Sequence, residues 1–355
     1  MGDALTAEQP WFGTPREGRR RVLVSGVHRK VAGEFVSRLV ADPEVEFVVG
    51  VSHGTCPAPL LDLDPDRFLM TTADLSRRDQ VENLFMLDRL RDANFDTVVH
   101  LAFQGNPKGY SVRRHEFNVN STRWLLDGCL RRGVGKFIYL STDAVYEVGP
   151  RSASQVREDA DVNFDPQAHP IVRDTVDAEF SCRAKMDHDR CEIVVLRPSG
   201  VLGGGVLSGL NLLMESRPPL LPVGYDPLIN PTSKQRLGRD LHLAASLRGK
   251  GLFNVAGPVV ATLEGFMEAR GISPQRVPGP LLTAAGRVQR AAGRSRYNQA
   301  FHPGRLFYSL VLDDTRFDRC FRVPGSELTE RFGADPVQSA IEGKRRVPTS
   351  FADVG

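Results

Sequence analysis

Six short runs of consecutive apolar residues constrain this chain more than any other feature: RVLVSG at 21–26, EFVVGVS at 46–52, TVVHLAF at 97–103, KFIYLST at 136–142, EIVVLRP at 192–198 and GLFNVAG at 251–257. A strand with one wet face alternates apolar and polar residues; a strand buried on both faces does not. The runs therefore predict a parallel sheet covered by helices on each side. Helical spacing appears between them, as Val31, Phe35 and Leu39 after the first run and Val172, Val176 and Phe180 before the fifth. The expected fold class is α/β, a doubly wound parallel sheet.

After the fifth run the pattern changes. Residues 201–237 are rich in Gly, Pro and Leu without a clear period, and 259–330 read as loops with short helices, so a smaller C-terminal substrate lobe is expected. The expected division is a flexible tail at 1–19, a nucleotide-binding domain at 20–200 plus 238–258, lobe segments at 201–237 plus 259–345, and a tail at 346–355.

With 355 residues, 41% hydrophobic and 25% charged, the chain falls among globular proteins rather than disordered, fibrous or membrane ones. No apolar run approaches a bilayer span. The net charge of +3 gives no reason to expect a nucleic-acid partner for the protein as a whole. Cys56, Cys129, Cys182, Cys191 and Cys320 have neither C-x-x-C nor Cys/His spacing, so no metal site or disulfide framework is expected, and a reducing, cytoplasmic setting fits best. The first residues match the M-G-x-x-x-[ST] acylation pattern through Gly2 and Thr6, a short pattern that recurs by chance. The strongest local charge bias is a run of arginines, Arg270, Arg276, Arg287, Arg290, Arg294, Arg296 and Arg305, with no acid between Glu268 and Asp313. It reads as a solvated face, or alternatively as a surface for phosphate, an acidic protein or anionic lipid.

The first run leads into Gly26-Val27-His28-Arg29-Lys30-Val31-Ala32-Gly33. Dinucleotide-binding turns follow a strand, open a helix and use missing side chains to bring backbone close to a pyrophosphate. Gly26 and the small Ala32 fit that pattern. Arg29 replaces the middle glycine and can either clasp a phosphate or fill its place. The second run ends Val51-Ser52-His53, where an acid would bind the ribose of NAD, and no arginine follows promptly to receive the extra phosphate of NADP. NAD, NADP or neither stays open.

Together with VVHLAF at 98–103, NVNSTRWLLDGCLRRGVGKFIYLSTDAVY at 118–146 and VVLRPSGVLGGG at 194–205, the chain resembles the extended short-chain dehydrogenases/reductases. More narrowly, it resembles the NAD-dependent epimerase/dehydratase family acting on nucleotide sugars. The resemblance spans about residues 20 to 325. It implies a Rossmann-type sheet with a C-terminal substrate lobe, a nucleotide or nucleotide-sugar ligand, and a homodimer. It further implies cofactor contacts from Asp74 and Leu75 beside adenine and from Leu101 and Ala102 beside the ribose. Thr142 falls on the Ser or Thr that bonds the substrate hydroxyl, although a strand-end threonine can equally satisfy its own turn.

The family's Y-x-x-x-K falls on HPIVRDTVDAEF, which puts Ile171 at the tyrosine and Thr175 at the lysine. An isoleucine has no exchangeable proton. General acid–base help is worth about 10²–10⁴ in rate, roughly 3–5 kcal/mol of barrier, so the standard reaction should be crippled. The nearest substitute acids are His169 and Asp143. On the substrate side the resemblance implies Arg197 of the R-P pair, Asn211, and Lys234 or Arg236 in place of a diphosphate arginine that is Ser233 here. Leu237 stands for a histidine, and Asp240 is expected to cap a helix. The favoured reading is a binding pseudoenzyme. The alternatives are an active epimerase, dehydratase or reductase using Thr142 with a substitute acid, and a docking protein using the arginine-rich segment.

Overall fold

A computed structural model describes residues 13–87, 94–105, 111–299 and 303–322. The strands, in chain order, are β1 (Arg20–Ser25), β2 (Val45–Ser52), β3 (Phe68–Thr72), β4 (Thr97–His100), β5 (Lys136–Leu140), β6 (Gln155–Val156), β7 (Glu192–Pro198), β8 (Leu220–Pro222), β9 (Leu228–Ile229), β10 (Gly251–Val255), β11 (Ala261–Thr262), β12 (Gln275–Val277) and β13 (Val311–Leu312). The helices are α1 (Ala32–Ala41), α2 (Arg78–Leu84), α3 (Val112–His115), α4 (Ser121–Arg132), α5 (Pro170–Arg183), α6 (Gly209–Met214), α7 (Lys234–Ser246), α8 (Leu263–Ala269), α9 (Gly279–Ala291) and α10 (Thr315–Phe321).

Seven strands form one sheet in the order β10-β7-β5-β4-β1-β2-β3, every neighbouring pair parallel. Side chains alternate across it: Val22 and Val24 face a core with Phe35, Leu39, Leu237 and Leu241, while Leu23 faces one with Val81, Leu125, Cys129 and Ala178. Each of the buried Val, Leu and Phe side chains contributes about 1.5–3 kcal/mol of transfer free energy, and burial on both faces is what the continuous apolar runs encode. On one face α7 lies against α1 at Gly238, where a Cβ would come within 2.8 Å of the Glu34 side chain.

All six runs predicted from the sequence are strands of this sheet; β3 is the seventh. It is an edge strand with only Phe68 fully buried, so FLMTT lacks the doubly buried signature. The expected flexible tail also differs, because residues 13–19 are not free. The Gly13 N–H donates to the Arg248 carbonyl at 2.9 Å, and the Arg248 N–H donates to Thr14 at 2.8 Å. The Arg16 guanidinium reaches Asp96 and Thr97 beside β4, and burial lowers its pKa.

The lobe has its own core of Leu202, Leu213, Leu220, Leu263, Phe266, Met267, Leu282 and Leu306. Residues of α10 do not join it. Phe317 and Phe321 pack on Phe253 of β10, in the core of the main sheet. The acylation pattern at Gly2 and Thr6, and the chain from 323 onward, lie outside the described residues. Among the described residues no helix is long and apolar enough to cross a membrane.

Candidate functional site

Between β1 and β4 the strand order reverses, and such a switch point opens a crevice at the carboxyl ends of a parallel sheet. Gly26 ends β1 there with φ 77°, a left-handed conformation that favours glycine. A Cβ on it would lie 2.5 Å from the Ala102 nitrogen, so the turn and the Leu101-Ala102 segment close on each other only around a glycine. Arg29 turns inward and donates to the Leu101 carbonyl at 2.7 Å. Burial lowers its pKa, and among the described residues no carboxylate is paired with it. A half-buried guanidinium of this kind suits an anion. Ala32 and Leu75 are packed into the two cores, while Asp74 accepts from the Ser76 hydroxyl at 2.6 Å and is held below the usual carboxylate range by that bond.

The crevice opens into a cavity of about 300 Å³ that runs from the nucleotide turn to the lobe. Thr142, Asp143, Ile171 and Thr175 all line it. The positions that the resemblance assigns to the hydroxyl contact, the phenol and the ammonium are therefore gathered in one cavity. Ile171 and Thr175 present a branched aliphatic group and a hydroxyl already donated to the Ile171 carbonyl at 2.8 Å. Thr142 is the cap of the short turn that follows it: its hydroxyl accepts from the Ala144 N–H at 3.3 Å and donates to Asp143 Oδ1 at 3.1 Å. The other Asp143 oxygen accepts from Arg305 at 3.0 Å, so both carboxylate oxygens are engaged.

Other expected residues serve the fold. His169 does not line the cavity; its Nδ1 accepts from the Ile171 N–H at 3.3 Å and caps α5, and burial lowers its pKa. Arg197 is fully buried and bonded to Glu179, the Tyr146 hydroxyl and the Glu158 carbonyl, which leaves no face for a substrate. Tyr146 in turn donates to Asn254 at 2.6 Å, and burial pushes its phenol up to about 12. Asn211 ties the 203–206 loop to α6 by accepting from the Gly203 N–H and donating to Val206 and Glu215. Lys234 packs along Gly203, and Arg236 donates to the Ala256 carbonyl at 3.1 Å; neither lines the cavity. Asp240 caps nothing. It sits in mid-helix with Arg322 bonded to both its oxygens, and the cap of α7 is Ser233.

Among the lobe residues that line the cavity and were not candidate site residues, Tyr297 and Arg305 bring a phenol and a cation. Burial raises the Tyr297 phenol above its ordinary value. Arg305 is the last member of the arginine-rich run, so the charge bias marked the right stretch without separating this side chain from its solvated neighbours. Within the run Arg276 pairs with Glu264 and Arg296 with Glu215, while α9 leaves Leu281, Arg287 and Val288 exposed.

The profile of the NAD dependent epimerase/dehydratase family matches residues 22–211. The mouse dTDP-D-glucose 4,6-dehydratase is 27% identical over 199 residues, 54% of this chain and 53% of that protein. An Actinoplanes dTDP-glucose 4,6-dehydratase is 29% identical over 138 residues, 36% and 41% of the two chains. The chain thus matches about half the length of these curated relatives or less. Among solved structures, the Bacillus cereus UDP-glucuronic acid 4-epimerase in complex with NAD superposes with a TM-score of 0.62 at 18% identity, covering 92% of this chain and all of that one. The UDP-N-acetylglucosamine 4-epimerase of Methanobrevibacter ruminantium M1 gives 0.65 at 16% identity, with 92% and 98% coverage. With a profile match over more than half its length, a seven-stranded parallel sheet and a crevice at its switch point, this chain belongs to the NAD-dependent epimerase/dehydratase family.

Proposed function

We propose that this protein binds a dinucleotide, and a nucleotide or nucleotide sugar beside it, without carrying out the family's proton transfer. One observation supports the reading above the others: in the cavity that holds Thr142, the adjacent wall is Ile171 and Thr175. When bound, a nicotinamide supplies hydride transfer. The alcohol proton must leave or arrive in the same step, and Ile171 has no group to exchange it. Asp143 is held by Arg305 and Thr142. The turn suits a dinucleotide: Gly26 brings backbone close, and Arg29 offers an anion a guanidinium without a carboxylate partner among the described residues. The relatives' nucleotide-sugar ligands are the natural candidates for the lobe side, where Arg305 and Tyr297 would meet them.

A second reading has its own support. Tyr297 brings a phenol and Arg305 a cation into the same cavity, the types of group missing at 171 and 175. In that reading Tyr297, kept protonated by burial, gives the proton in a carbonyl reduction. Titration of the purified protein with NAD, NADP, UDP-glucuronic acid and dTDP-glucose by calorimetry, followed by a search for turnover of the bound pairs, separates the two. Binding without turnover is the expected result. Turnover lost in Thr142→Ala or Tyr297→Phe would establish the second reading.

A further inference from the structure

At the carboxyl end of β2, where an acid would accept the hydroxyls of the adenosine ribose, this chain assembles donors instead. Ser52 ends the strand, 4% exposed, with its hydroxyl 3.2 Å from Nδ1 of His28 on the nucleotide turn. His53 follows and meets the His28 ring edge to face, centroids 5.0 Å apart and planes at 78°. Both imidazoles are exposed on their outer sides. Among the described residues no carboxylate is hydrogen-bonded or ion-paired to His28, Ser52, His53 or Lys30.

We infer that the His28, Ser52 and His53 cluster is a receptor for the 2′-phosphate of an adenine dinucleotide, which makes the protein selective for NADP over NAD. The inference rests on the dinucleotide-binding reading above and deepens it. An acid at this strand end accepts both ribose hydroxyls and repels a phosphate; its absence removes both effects. A hydroxyl and two imidazole nitrogens supply donors to a dianion, and charge-assisted bonds are about twice as strong as neutral ones. Burial, then His53, then Arg29, lower the His28 pKa, and a phosphate on the cluster offsets that repulsion between neighbours. The sequence alone pointed away from this site, because a linear reading looks for an arginine after β2. The imidazole that completes the cluster comes from 24 positions upstream, across the turn.

The protein is titrated with NADP+, NAD+, adenosine 2′,5′-bisphosphate and adenosine 5′-monophosphate, the last pair differing only in the 2′-phosphate. NADP+ is expected to bind at least about tenfold tighter than NAD+, and the bisphosphate to keep that preference over the monophosphate. His53→Asp, an exposed position checked by thermal melting, should reverse the ratio. Equal or tighter binding of NAD+ overturns the inference and leaves the dinucleotide reading standing. A preference for NADP+ that His53→Asp leaves unchanged overturns the assignment to this cluster. No binding by any of the four removes both readings.

Discussion

Arg305 of the lobe holds Asp143 of the sheet domain by two bonds, one guanidinium nitrogen 3.0 Å from the carboxylate and the other 2.8 Å from the main-chain carbonyl. This clasp joins the two walls of the cavity beside Thr142, with the two side chains only 20% and 10% exposed. With the bond from Thr142, it leaves both Asp143 carboxylate oxygens engaged.

Replacing Arg305 with Gln should therefore act on stability before it acts on chemistry. The Asp143 carboxylate would lose its cation in a largely buried place, at a cost of about 1–3 kcal/mol. Urea denaturation of Arg305→Gln, Asp143→Asn and the double variant measures the coupling, expected above about 0.5 kcal/mol. Strict additivity of the two changes would mean that the clasp contributes nothing.

Arg197 makes a contrasting case, because the family resemblance assigns it to substrate and the fold buries it against Glu179 and Tyr146. Arg197→Met should destabilise by about 3–5 kcal/mol, since it leaves Glu179 buried without its main cation. While the variant remains folded, at low temperature, the affinity for any nucleotide sugar should stay within about twofold of the parent. A selective loss of that affinity with stability intact would return Arg197 to the substrate side.

These two arginines indicate what the sequence could and could not reveal. Strands such as Lys136–Leu140 were legible because burial on both faces writes itself into consecutive residues. Thr142, Ile171 and Thr175 were singled out through the family resemblance, and the fold brings all three to one cavity because one follows the end of β5 and the other two lie on α5. The expected substrate-side contacts were not legible. Arg197, Asn211, Lys234 and Arg236 have the right chemistry for a phosphate, but whether each meets a ligand or a buried carbonyl depends on packing between distant segments. Arg305 was legible only as the end of a charged run, and its partner, 162 positions away, was not legible at all.

His100, at the end of β4 beneath the nucleotide turn, predicts a pH response. It is fully buried, 2.6 Å from the Ser25 hydroxyl and 3.1 Å from Thr122, and burial, aided by Arg29, lowers its pKa to about 3. The unfolded chain takes up this proton near pH 6.5 and the folded protein does not. Stability from the neutral ring is complete above 6.5 and falls as pH drops toward 3, by about 1.4 kcal/mol per pH unit. Between pH 6.5 and 5, where ordinary carboxylates barely titrate, His100→Asn should flatten the slope seen in chemical denaturation. An unchanged slope would show that the ring is protonated without penalty.

Asp42 carries the opposite kind of acid sensitivity and fastens three parts of the sheet domain. Its side chain accepts from Arg20 of β1 at 2.8 Å, lies 2.8 Å from Nε2 of His242 on α7, and accepts from the Glu44 N–H at 3.0 Å. Burial alone would raise its pKa; the bonds from His242 and Glu44 and the charge of Arg20 outweigh that and hold it at about 2. Because the folded value lies below the unfolded one, the contribution is present above about pH 4 and is lost as pH falls through 2. The shift corresponds to about 2 kcal/mol. Asp42→Asn keeps the shape while removing the charge, so it should lower stability by at least that amount at pH 7 and leave no dependence from this site between pH 4 and 2. If Asp42→Asn instead matched the parent at pH 7, the charge on Asp42 would be dispensable, and the hold of α7 on the start of β1 would have to come from apolar packing around Leu241 and Phe35 alone.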